Sequence, residues 1–238
     1  MKIWGYWTTL AWAVLAFLVG QFVALAILVW WRAGDLSALL QVPYDGVLVT
    51  LFILISNPVT IAVIALAIWF KRAAIADYLA LAWPAAGIVK TGLAGLVGLI
   101  ALSDALLYLF GRPLVTPFQV QSYTTAAAEG WLTAMAVGAI IVAPAGEEAM
   151  FRGFLFRGWA RTERSTWPAI IVISLLWAGL HVQYDWTGIV QIFVIGLFLG
   201  WIRWRGGSTL FTFILHALFN LEGTMETLIE VHYHIYGG

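Results

Sequence analysis

Apolar positions in this chain fall into seven long runs, at 7–31, 47–70, 91–110, 131–158, 168–184, 186–202 and 209–230. Runs of this size match the roughly 17–25 residues that a helix needs to cross a hydrocarbon layer about 30 Å thick. The pattern predicts an all-α fold, a polytopic transmembrane bundle of about seven or eight helices. A membrane barrel would show alternating segments of about ten residues, and these are absent. The stretch 73–89 is ambiguous. Pro84 and its short length favour an interfacial helix or re-entrant piece, with an eighth span as the alternative. Pro113, Pro117 and many small polar residues predict a surface excursion over 111–130. Thr166, ahead of Trp167-Pro168, is the expected N-cap of the fifth span. Gly196 and Gly200 form a small-xxx-small face suited to close helix packing.

Composition strengthens the membrane reading: 63% of residues are hydrophobic and 10% charged, against about 25% charged in soluble domains. The apolar stretch that follows Lys2 and reaches Trp31 exceeds a cleavable signal core of about 7–15 residues, which predicts a retained first span. With no internal repeat and no appended soluble region, residues 1–238 read as a single integral membrane domain whose chemistry lies in 131–230. The apolar runs imply the lipid bilayer and membrane-bound partners, and a net charge of zero predicts neither an acidic partner nor nucleic acid. The absence of cysteine excludes disulfides, thiolate metal sites and cysteine nucleophiles.

Charge also orients the chain. With the N-terminus in the cytoplasm, Lys2, Lys71, Arg72, Lys90, Arg152, Arg157, Arg161, Arg164, Arg203 and Arg205 share one side, and only Arg32 and Arg112 lie opposite. The positive-inside rule then predicts a cytoplasmic N-terminus and an outward C-terminus in the plasma membrane.

Polar groups inside the apolar runs are the candidates for chemistry. A carboxylate at the bilayer centre costs about 2.5 kcal/mol or more even on lenient scales, yet Glu147 and Glu148 stand side by side in the fourth run. At 1.5 Å per residue, Glu147, His181, His216 and Asn220 come to comparable depths, about 12–21 Å from the cytoplasmic ends of their spans. Glu148 and Arg152 are i,i+4 and form an ion pair. Glu147 projects about 100° away, which leaves it the reactive carboxylate. His216 and Asn220 share a face, as do Trp177 and His181. Together they suit hydrolysis by an activated water. A desolvated Glu147 would act as general base, with His181 sharing the water or carrying the proton. His216 and Asn220 would donate to a developing oxyanion, at ~3–4 kcal/mol per donor. No G-x-S-x-G nucleophile motif competes.

Glu147-Glu148-Ala149-Met150-Phe151-Arg152 resembles the EExxxR motif of the CPBP family, which includes type II CAAX prenyl proteases and bacteriocin-processing or immunity proteins. Trp177 to His181 resembles its FxxxH motif, with Trp in the Phe position, and His216 to Asn220 its HxxxN motif. Tyr78-Leu79 adds a faint echo. The resemblance implies an intramembrane glutamic endopeptidase without a cofactor, acting near the C-terminus of a membrane-bound or lipidated, CAAX-like substrate. In it Glu147 with His181 would activate water, and His216 and Asn220 would form the oxyanion site. Glu148, Arg152 and Trp177 would support the site, which is expected to open towards the cytoplasm.

Other readings remain. A non-proteolytic regulator or immunity scaffold of the same family would use the Gly196/Gly200 face. A zinc site could draw on the two histidines and a glutamate, although H-E-x-x-H is missing. A proton-coupled carrier would need repeats or broken helices. Asp104 is a further intramembrane acid; Asp185 could orient His181 but is expected on a surface loop; His232 and His234 form a weak H-x-H pattern expected to be a polar tail.

Overall fold

A computed structural model describes residues 2–233, and among them every regular element is helical. Seven long helices correspond to the seven apolar runs: α1 (Tyr6–Trp31), α2 (Gly46–Phe70), α4 (Ala86–Leu109), α6 (Leu132–Trp159), α7 (Glu163–Gly179), α8 (Trp186–Gly206) and α9 (Thr209–Tyr233). Between them lie shorter ones, among them α3 (Ile75–Leu79) and α5 (Pro117–Ala128), besides a four-residue helical turn, Ala38–Gln41, that runs into a 3-10 turn, Val42–Tyr44. α1, α2, α4, α6 and α8 are each long and apolar enough to cross a membrane. Their outward faces carry large apolar side chains. In α4 Gly92 and Leu96 are the buried residues, an arrangement suited to lipid and wrong for water. Trp7 and Trp30, 83% and 79% exposed at opposite ends of α1, stand where indole rings favour headgroups.

α7 and α9 also run from end to end, as contacts at the two ends of the bundle establish. At one end the Trp4 indole donates to the Ala67 carbonyl, Trp167 meets Trp204, and the Thr209 amide donates to Ala80. At the other, Phe118 meets Tyr184, the Tyr123 and Thr224 hydroxyls bond at 2.8 Å, and Arg112 pairs with Asp185. α9 misses membrane-grade composition because it carries His216, Asn220, Glu222, Glu226 and Glu230.

Small residues draw the helices together. Thr9, Ala13, Ala16, Gly20, Ala24 and Leu28 form a buried stripe on α1, and the Thr60 hydroxyl of α2 donates to the Ala16 carbonyl at 3.3 Å. The Gly196/Gly200 face is used internally. A Cβ added at Gly196 would lie 2.9 Å from the Ser174 Cβ and 3.1 Å from Trp177, and one at Gly200 2.8 Å from Ile170. It locks α8 onto α7, so it is no free surface for the partner that the scaffold reading required.

Several expectations are corrected. Residues 73–89 form no eighth span: five residues of α3 are followed by a turn at Ala80, and Pro84 lies in the connection before α4 starts at Ala86. The third span accordingly begins five residues earlier than the apolar run suggested. The 111–130 excursion contains α5, because Pro117 sits in the first turn, where its missing N–H costs nothing. Thr116 and Gln119 close a capping box there. The N-cap of α7 is Thr162, boxed with Ser165, and the Thr166 hydroxyl donates back to the Thr162 carbonyl instead. Asp45 and Asp185 cap α2 and α8, their carboxylates accepting from backbone amides; Asp185 is exposed in the connection before α8, where a surface acid was expected. The amide of Gly188 and the nearby Arg112 hold the Asp185 carboxyl below its usual range. His232 packs edge-on against Tyr233, and His234 lies outside the described residues.

The glycine seam generates the first prediction. Gly196→Val drives a branched side chain into Ser174 and Trp177, and overpacking of this kind costs about 1–3 kcal/mol. The thermal midpoint in detergent is expected to fall, and an unchanged midpoint would mean that α7 and α8 do not meet as described.

Candidate active site

The backbone of α6 departs from α-helical winding on both sides of its paired glutamates. Wider π-type turns occupy Gly138–Val142 and Ala149–Leu155, with an ordinary turn, Ala143–Glu148, between them. Such insertions commonly mark functional positions. The first has a local cause. The Ala143 amide donates to Gly138, five residues back, so Pro144 would follow by donating to Ala139 but has no N–H. The Asn220 side-chain amide of α9 supplies that bond to the Ala139 carbonyl at 2.8 Å. Asn220 thereby ties α9 to α6 and keeps one amide proton uncommitted.

Glu148 is 1% exposed and cannot stand alone. Its Oε1 accepts from Arg152 Nη1 at 2.7 Å and from His216 Nδ1 at 3.1 Å. The expected i,i+4 pair is therefore present, and it is fully buried. Arg152 also donates to the Gly196 carbonyl at 3.4 Å and lies 4.3 Å over the Trp177 ring. Buried in this way at the middle of the bundle, it drops out of the charges that orient the chain. That leaves nine cations at one end against two; Arg203, among the nine, is buried but lies in the last turn of α8.

Glu147 is more open, its side chain 22% exposed. Its Oε2 accepts from the Trp177 indole at 2.5 Å and lies 3.9 Å from His216 Nε2. His216 therefore bridges the two glutamates, one at each ring nitrogen. His181 is not inside a span: α7 ends at Gly179 and His181 sits on the closing turn. Its Nδ1 lies 2.8 Å from the Trp177 carbonyl. A carbonyl only accepts, so Nδ1 carries a proton, and in the neutral ring Nε2 keeps its lone pair. This carbonyl, and not Asp185, fixes the ring. Trp177 centres the group, with its ring 5.4 Å from that of His181 and 5.1 Å from that of His216.

All of these residues except Glu148 and Arg152 line one cavity of about 420 Å³. It also takes in Asn57, Tyr184, Gln119 and Gln191, which the sequence reading passed over. Asn57 carried a signal, a polar residue beside Pro58 in an apolar run. Gly146 lets it approach, since a Cβ there would come within 2.7 Å of the Asn57 Cβ. Burial pushes the Tyr184 phenol up, so it is a neutral donor at the cavity edge. The three connections at the Arg112/Asp185 end contribute Pro43, Thr116 and Gln183 to the lining, whereas no connection at the basic end contributes at all. A cytoplasmic N-terminus and a cavity opening to the cytoplasm, both expected from the sequence, are therefore incompatible.

Asp104 reaches α9, where its carboxylate lies within 4.8 Å of those of Glu222 and Glu226. That is the only three-residue grouping of possible metal ligands among the described residues. Glu147, His181 and His216 do not form such a grouping.

Comparison with known proteins adds one match. Residues 129–221 fit the family model described as type II CAAX prenyl endopeptidase Rce1-like, a segment that contains all three motifs. No curated protein and no solved structure matches the chain.

The buried pair makes the next prediction. Arg152→Met leaves Glu148 buried without its cation, a loss of about 3–5 kcal/mol. The joint Glu148→Leu/Arg152→Met variant recovers most of it. Thermal unfolding of the single and double variants in detergent measures the difference, and equal losses in both would show that the pair is not coupled.

Proposed function

We propose that this chain, whose residues 129–221 match the Rce1-like type II CAAX prenyl endopeptidase model, hydrolyses a peptide bond of a membrane-bound substrate with water activated by Glu147. The match supports a CAAX-type intramembrane protease at the level of the family; the substrate and the roles of individual residues are our reading. One observation carries it. Of two adjacent glutamates, Glu148 is neutralised by Arg152, while Glu147 faces the cavity with only an indole N–H on it and an imidazole 3.9 Å away.

Glu147 takes a proton from a water on the cavity floor, and the hydroxide attacks the scissile carbonyl carbon. His181 presents its unprotonated Nε2 to the same space and helps to hold that water. Negative charge develops on the carbonyl oxygen, where the free amide proton of Asn220 and His216 Nε2–H can meet it. With its Nδ1–H on Glu148, His216 offers an Nε2–H to the oxyanion only as the doubly protonated ring, the form that this reading requires. The proton on Glu147 then passes to the leaving nitrogen as the C–N bond breaks. Trp177 orients Glu147, and Glu148 with Arg152 holds the wall. No step requires a metal.

Phe17, Phe52, Met150, Phe151 and Phe219 give the cavity an apolar side, which supports a hydrophobic or lipidated segment as substrate. A non-proteolytic regulator of the same family is the second reading, weakened by the internal use of the Gly196/Gly200 face.

The test uses the full chain in proteoliposomes with membrane-anchored peptides, prenylated and not, and mass spectrometry of the products. Loss of a general base lowers rates about 10²–10⁴-fold, so Glu147→Gln is expected to lose at least about a hundredfold while unfolding at the wild-type temperature. A chelator leaves the wild-type rate unchanged. Undiminished cleavage by Glu147→Gln refutes the assigned base, and a metal requirement refutes the metal-free step. A cellular phenotype that survives Glu147→Gln favours the regulator.

A further inference from the structure

The cavity and the positive charges occupy opposite ends of the bundle. Lys2, Lys71, Arg72, Lys90, Arg157, Arg161, Arg164, Arg203 and Arg205 lie at one end, and only Arg32 and Arg112 at the other. No lysine or arginine lines the cavity. Its walls draw on all three connections at the sparsely charged end, 32–45, 110–131 and 180–185.

The basic end is closed by packing. α3 lies across it, with Tyr78 fully buried and stacked on Phe154 at 5.6 Å. A Cβ at Gly153 would come within 2.8 Å of Leu79. Arg157 clamps α3 by donating to the Tyr78 carbonyl at 3.0 Å and to that of Asp77. Below the Glu147 floor come the Glu148–Arg152 pair and the Arg203 donation to the Arg152 carbonyl at 3.0 Å. Ile170, Leu199, Ile202 and Phe211, each 1% exposed or less, fill the rest. These contacts fill the end of the bundle beneath Glu147.

We infer that the scissile segment enters from the extracytoplasmic face, the one opposite the basic loops, so that the substrate is an outward-facing juxtamembrane stretch of a membrane-anchored protein and not a cytoplasmic tail. The word substrate rests on the proposed protease function; the side of opening rests on the cavity and the charge distribution. Nine exposed or end-lying cations against two set the topology through the positive-inside rule, and the seven traversing helices then carry the cavity to the outer leaflet.

Because the chain has no cysteine, single cysteines report the side directly. Gln183→Cys and Tyr44→Cys, at exposed positions by the cavity mouth, are compared with Glu163→Cys and Arg164→Cys, exposed at the basic end. Intact cells expressing each full-length variant are treated with a membrane-impermeant maleimide before and after permeabilisation. The first pair is expected to label in intact cells and the second only after permeabilisation. The reverse pattern overturns the inference, as does labelling of both pairs in intact cells. Two positions at each end guard against one misfolded variant, and a variant absent from the membrane fraction is replaced by its pair mate. Labelling requires no catalysis. An outward mouth together with full activity of Glu147→Gln would sink the catalytic assignment alone, and an inward mouth with an inactive Glu147→Gln would sink the sidedness alone.

Discussion

Taking two opposite charges out of water is costly, and the attraction between them offsets that only with close geometry and further hydrogen bonds. Glu148 and Arg152 meet this condition by recruiting the helices around them. The carboxylate accepts from His216 on α9, and the guanidinium reaches the Gly196 carbonyl on α8 and the Trp177 ring on α7. Four helices are thus held in one register by a requirement that belongs to two side chains of α6. The reactive geometry follows. Trp177, pinned by the cation, aims its N–H at Glu147, and its carbonyl fixes the His181 ring. His216, pinned by Glu148, turns its other nitrogen towards Glu147. The residue taken for chemistry is the one left out of the pair, and its position is the consequence of that pair.

The winding of α6 makes room for this arrangement. A regular α-helix places i and i+4 side chains on one face, which suits Glu148 and Arg152. Glu147 must face a cavity, and Gly146 must let α2 approach. Wider turns on both sides of 143–148 shift the phase of the helix locally and release carbonyls that a regular ladder would use. Asn220 satisfies the one that Pro144 leaves free. The asparagine therefore has a structural reason to be present whatever it does in catalysis. Removing it would expose a carbonyl and unpin α9 together, so its loss alone cannot separate the two roles.

The seven long helices were legible because a lipid-facing helix must be apolar along its length, and that leaves continuous runs. The Glu148–Arg152 pair was legible because i,i+4 spacing is local. The sequence reading failed where prolines and connections decide the outcome. Pro117 was taken as a breaker although it starts a helix, and the Thr116/Gln119 box beside it was a readable signal that was missed. His181 was assigned to a span by hydropathy, but Gly179 ends the helix two residues earlier. Long-range partners left no trace in any pattern: nothing in the chain announces that His216 bridges both glutamates or that the Trp177 carbonyl, 4 residues from His181, replaces Asp185 as its orienting group.

A hydrolytic site inside a membrane faces two opposing demands. Water must reach the base, yet a continuous aqueous path through the bundle would breach the bilayer. An enzyme of this kind must be open at one end and sealed at the other, and each polar backbone group in the seal needs a partner. α3 shows how the seal is made here. Five helical residues cannot span anything, but they bring Tyr78 and Leu79 under the core, and Arg157 donates to the Asp77 and Tyr78 carbonyls. The arginine does this at the end where the positive-inside rule gathers cations. Sealing and orientation therefore use the same side chains, and the mouth is left to the end whose loops carry mainly helix-capping acids. On this view the distribution of arginine does more than orient the chain: by stopping one end of the bundle it selects which side of the membrane the site can serve.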